Sequence, residues 1–145
     1  MGERYSTSLD ELLRAELEQY QTRSGAHVVI DGPTVLLGPK AAQLLALAVH
    51  ELATNAAKYG ALSVVEGRLT VMSAFEGDGE ERRLIIQWQE AGGPPVKPPQ
   101  RQGFGSRLIK KVVARALQAD VAMEYRPEGL TCRISVPAGL LEAAS

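Results

Sequence analysis

Two runs late in the chain alternate strictly between apolar and polar residues. Leu84, Ile86 and Trp88 are interleaved with more polar neighbours, and Cys132, Ile134 and Val136 alternate with Thr131, Arg133 and Ser135. Successive side chains of a strand point to opposite faces, so each run makes a strand with one apolar face and one that tolerates water. A sheet covered on both faces would read as uninterrupted apolar strands. The helices of this chain must therefore share one face, which predicts an α+β fold: a two-layer α/β sandwich with a mixed, mostly antiparallel sheet and about three helices on one side. At 145 residues the chain has the length of one such domain, 1–145, with enough material for a real core.

The remaining elements follow from periodicity. Thr7 to Tyr20 reads as a helix, with a Ser or Thr cap ahead of Asp10 and Glu11 and with Leu9, Leu12, Leu13, Leu17 and Tyr20 at helical spacing. HVVI and TVLL surround Asp31-Gly32-Pro33 and predict a short hairpin. Lys40 to Tyr59 is rich in Ala and Leu and ends at Gly60, a helix stop signal. GRLTVMSAF and RRLIIQWQE are two strands joined by EGDGE, and VAMEY and TCRISVP are two more, turning at Pro127 to Gly129. Between the pairs lies AGGPPVKPPQRQGFG, residues 91–105, which has neither helix nor strand period and is expected to be a flexible lid. Gly105 and Ser106 open a third helix whose apolar stripe is Leu108, Ile109, Val112, Val113, Ala116 and Leu117.

Composition excludes several classes of function. Sixteen basic against seventeen acidic residues give a net charge of −1, so no chain-wide basic field exists for nucleic acid. The single cysteine, Cys132, forms no internal disulfide or cysteine metal cluster, and its place on the apolar strand face reads as core packing. No run reaches membrane-spanning length and MGERYSTS lacks a signal-peptide core, so a soluble cytoplasmic domain is expected; the isolated domain is expected to be a monomer.

The second helix carries the polar chemistry. At about 100° per residue, Leu45, Val49, Leu52, Ala53 and Ala56 share the side facing the sheet. Glu51, Asn55 and Lys58 line the opposite side, with Thr54 beside them and His50 at the margin. By spacing alone this stripe is either a binding face or a solvated helix face with a Glu–Lys pair. Gly103-Phe104-Gly105-Ser106 runs into the third helix, which suits a phosphate at a helix N-terminus and equally suits an ordinary helix start. The third glycine of the dinucleotide fingerprint is missing, and no Walker A sequence occurs. His50-Glu51 has Thr54 where a zinc-protease helix needs its second histidine. Arg101, Arg107, Lys110, Lys111 and Arg115 cluster around the third helix, as a solvated face or as contacts for phosphate or an acidic partner.

Together these segments resemble a known family. HELATNAAKYGALS, from His50 to Ser63, is similar to the N box of the HWE family of bacterial sensor histidine kinases, within the GHKL ATPase superfamily. WQEAGGPPV, from Trp88 to Val96, resembles that family's Trp-x-Glu segment, and GFGSRLI, from Gly103 to Ile109, its second glycine box. The residues that name the family are His50, Trp88 and Glu90. The resemblance implies the Bergerat-type sandwich, with ATP and Mg²⁺ as cofactors. It implies that Asn55 holds the Mg²⁺, that Glu51 is a base or an outer-shell support for the metal, and that Lys58 reaches a phosphate while Tyr59 flanks the nucleotide. Glu90 would accept from the adenine amino group in place of the superfamily's Asp. Gly92 matches the next glycine, and Gly93 stands one place before the last. Gly103, Phe104, Gly105 and Ser106 would close over the triphosphate, and Thr131 is a further candidate for the adenine pocket. Trp88 reads as packing that fixes Glu90, and His50 as support for the N box or as a phosphate contact. The family lacks a phenylalanine box, and Phe104, inside the second glycine box, is no substitute for one.

The implied activity is transfer of the γ-phosphoryl group of ATP to a histidine. Neither His27 nor His50 resembles an acceptor and no acceptor helical hairpin is apparent, so the partners implied are a histidine-bearing phosphoacceptor domain and, indirectly, a response regulator. Two other readings stand beside this one: an anti-sigma-type serine/threonine kinase, and a degenerate domain that serves as a protein-binding platform.

Overall fold

The computed structural model describes residues 7–95 and 108–142. Thr7–Ser8 forms β1 and Leu9–Ser24 the helix α1. Ser8 caps α1, its hydroxyl accepting from the Glu11 amide at 3.2 Å. Next come β2 (His27–Asp31), β3 (Leu36–Leu37) and α2 (Pro39–Tyr59), with Pro39 at the first turn, where its missing N–H is harmless. Strands β4 (Arg68–Glu76) and β5 (Arg83–Ala91) form an antiparallel hairpin. Helix α3 begins as a π-helical stretch, Leu108–Val113, and continues as α-helix over Ala114–Leu117. Strands β6 (Asp120–Arg126) and β7 (Gly129–Pro137) close the fold.

The main sheet has the order β2-β4-β5-β7-β6, with β2 parallel to β4 and every other pair antiparallel. Its inner face presents Leu69, Val71, Leu84, Ile86, Trp88, Cys132, Ile134 and Val136. These pack with Leu13 and Leu17 of α1, Leu45, Leu52 and Ala56 of α2, and Ile109, Val113 and Leu117 of α3 in one core. The outer face carries Arg133, Gln87 and Glu76, as the alternation requires. The two-layer α+β sandwich read from the strands is the fold observed.

Two expectations need correction. The β2 and β3 segments do not form a hairpin: β2 pairs with β4, and β3 pairs with β1. Parallel pairing requires a long crossover, and α2 supplies it between β2 and β4. The turn at Gly32 is pressed against Ser73 of β4, and Pro33 has no N–H to offer a neighbouring strand. Leu37 is instead buried at the base of α2. In α3, Val112 is exposed, while Ile109, Val113 and Leu117 are fully buried. The wide π turn brings residues four apart into line and rotates Val112 off the stripe.

Candidate nucleotide site

Glu90 ends the inner face of β5, two residues after Trp88, so the pleat turns both side chains toward the helices. Trp88 is 1% exposed and Glu90 5%. The indole Nε1–H of Trp88 donates to Glu90 Oε2 at 2.9 Å, and the Ala61 amide donates to Oε1 at 3.1 Å. A buried carboxylate is tenable only with such donors. The bond from the Ala61 amide ties the end of β5 to the chain just after α2, where the Gly60 amide closes the helix on the Ala56 carbonyl, and the Trp88 bond holds the carboxylate within the strand.

Missing side chains make this closeness possible. A Cβ on Gly60 would collide with Glu90 Oε1, and one on Gly93 would meet the Gly60–Ala61 peptide. Gly92 has φ +75, a left-handed conformation, and its backbone abuts the Glu66 carbonyl. Sequence reasoning matched Gly92 but missed Gly60 and the Ala61 amide. The helix stop at Tyr59-Gly60 was a visible signal for the first, whereas a backbone N–H has no sequence signature.

The polar side of α2 runs up to the same corner. Glu51 and Asn55, one turn apart, are half-buried, and Lys58 and Tyr59 are exposed on its last turn. His50 turns elsewhere: its Nδ1 lies 3.3 Å from Glu16 Oε2, an exposed contact between α2 and α1. Thr131 must be corrected as a pocket residue. It pairs with Gln89 of β5 and Glu124 of β6 and so lies on the outer face, while its neighbours Leu130 and Cys132 are buried in the core. Gly103, Phe104, Gly105 and Ser106, with most of the expected lid, lie outside the described residues.

Behind Glu90 the environment is apolar. Burial pushes the Cys132 thiol up to about 12; Lys110 of α3 opposes the rise and Glu90 adds to it. Among the described residues no three His, Cys, Asp or Glu side chains converge to hold a metal. The amide of Asn55 and the carboxylate of Glu51 are hard oxygen donors on one helix face, which fits Mg²⁺ that takes most of its ligands from phosphates and water. A groove of about 770 Å³ between α1 and α2 is lined by none of the site residues.

The chain is 37% identical over 135 residues to blue-light-activated histidine kinase 1 of Erythrobacter litoralis, covering 91% of this chain and 36% of that protein. This chain is a histidine kinase homologue. The blue-light-activated histidine kinase of Brucella ovis is 33% identical over 130 residues, covering 90% of the chain and 27% of the relative. The homologue thus spans well under half the length of these curated relatives. Its fold matches the histidine kinase domain of a blue-light-activated histidine kinase from Erythrobacter litoralis with a TM-score of 0.77 at 17% identity, over 98% of this chain and 67% of that one. It also matches the catalytic domain of the histidine kinase ThkA with a TM-score of 0.63 at 15% identity, over 92% of this chain and 97% of that one. The fold is that of histidine kinase catalytic domains. No protein-family model matches the chain, and no helix among the described residues is long and apolar enough to cross a membrane.

Proposed function

We propose that the chain is the ATP-binding catalytic domain of a cytoplasmic sensor histidine kinase of the HWE type. In this reading it is a single monomeric domain with a lid at about 91–105, and it delivers the γ-phosphoryl group of ATP to a histidine on a separate phosphoacceptor domain, from which a response regulator is charged. The observation that carries the reading is the junction of Trp88, Glu90 and Ala61, which joins the Trp-x-Glu strand to the end of the N-box helix in a homologue of histidine kinases.

Glu90 accepts from the adenine amino group, and the tight turn at Gly92 lets the base approach the backbone. Tyr59 flanks the nucleotide and Lys58 meets a phosphate as a point charge. Asn55 would hold Mg²⁺, with Glu51 as its outer-shell support or as a base, and the bound ion would offset triphosphate charge. Gly103 to Ser106, by their resemblance to the second glycine box, would cover the phosphates. His50, held by Glu16, supports the N-box helix from outside the pocket. The acceptor nitrogen attacks the γ-phosphorus, the bond to the ADP oxygen breaks, and catalysis rests on positioning and charge.

Titration calorimetry of the intact chain with Mg-ATP tests this reading. Binding is expected, with its loss in Asn55→Ala; absence of binding, or unchanged binding in the variant, refutes it. Labelled ATP and an acceptor domain should yield an acid-labile phosphohistidine. An acid-stable product would instead identify a serine/threonine kinase.

A further inference from the structure

We propose that Trp88 is a positioning residue for base selectivity: its indole N–H, acting with the Ala61 amide, aims the Glu90 carboxylate so that the pocket distinguishes a 6-amino purine from purines without that donor. The inference rests on the proposed nucleotide function and deepens it.

A glutamate reaches one methylene farther than an aspartate and has one more torsion to fix. Left to rotamer freedom, its carboxylate would be a poorly aimed acceptor. Here each oxygen has its own donor: Oε2 receives the Trp88 Nε1–H and Oε1 the Ala61 amide. One donor comes from a side chain locked in the core and the other from the backbone, so the plane of the carboxylate is set from two directions. Trp88 cannot drift, because it is 1% exposed and opposes Val71 and Cys132 on neighbouring strands. Gly60 leaves the room that Oε1 occupies, so the clamp is built into the packing on that side as well. A preset acceptor discriminates by the cost of leaving it unmatched: a purine lacking the amino group desolvates the carboxylate without bonding it.

The test compares Mg-ATP with the Mg²⁺ complex of purine riboside triphosphate, which lacks the 6-amino group, in the wild-type chain and in Trp88→Phe. A hydrogen bond to a charged group is worth about a tenfold preference or more, so the wild type should favour ATP by at least that factor. In Trp88→Phe the preference should collapse while affinity for purine riboside triphosphate stays within about twofold of the wild type. Equal weakening of both ligands would reduce Trp88 to core packing and overturn the proposal, as would an unchanged preference. Failure of the wild type to bind either nucleotide would remove the nucleotide reading itself, a distinguishable result that also ends this inference.

Phe leaves part of the core unfilled, so a second variant replaces Trp88 with its benzothiophene isostere, sulfur for N–H. It should reproduce the loss of preference with the shape of the core retained. The wild type adds a readout that needs no variant. Trp88 is the only tryptophan, so the protein has one indole N–H resonance. Mg-ATP should shift that resonance more than purine riboside triphosphate does, and equal shifts contradict the proposal.

Discussion

Cys132 faces Trp88 across the β5–β7 ladder, where burial raises its thiol to about 12. The neutral thiol is favoured in the folded state, so its contribution to stability is intact below the ordinary thiol value of 9.0 and is lost as pH rises toward about 12. Urea unfolding at several values above pH 9 should show the wild type losing about 1.4 kcal/mol per pH unit more than Cys132→Ala. Equal slopes would mean that the thiol is not desolvated. At this scale much of the site was legible: period two places Trp88 and Glu90 on one face, and the helical wheel gathers Glu51, Asn55 and Lys58. The Ala61 donor was not legible, because any residue there would supply the same amide. Thr131 lies on the outer face, where the alternation of Cys132, Ile134 and Val136 with Thr131, Arg133 and Ser135 already puts it.

Among elements, α1 depends on a two-residue strand whose last member caps it. Ser8 is buried and accepts from Glu11, so Ser8→Ala should cost about 1 kcal/mol in denaturant unfolding. No change would show that the first turn finds another partner. Helices α1 and α2 and the hairpins β4–β5 and β6–β7 were legible because each rests on local signals: caps, periodicity and glycine-rich turns. The pairing of β2 was not, because a turn signal says where a chain bends and not which distant strand receives it. The π start of α3 escaped as well, since Ile109, Val112 and Val113 fit an ordinary helical stripe until packing selects the wider turn.

For the molecule as a whole, one-sided sheet coverage follows from alternation in β5 and β7, and no composition argument was needed for it. Net charge of −1 is compatible with a polyanionic ligand because the proposed positive potential is local: Lys58, a helix N-terminus and a bound cation. With the acceptor histidine on a domain outside this chain, as proposed, phosphotransfer by this chain should rise with added acceptor domain and saturate. A rate independent of added acceptor would point to modification within the chain. The crossover through α2 also bears on how the protein is made. His27 pairs with Arg68, so β2 can join the sheet only after all of α2, which lies between them in sequence, has been made. Closing so long a loop precedes any reward from the contact, which makes this step a natural bottleneck in folding. A chain emerging from the ribosome would have to wait for β4 before the helix bearing Asn55 had a floor to rest on.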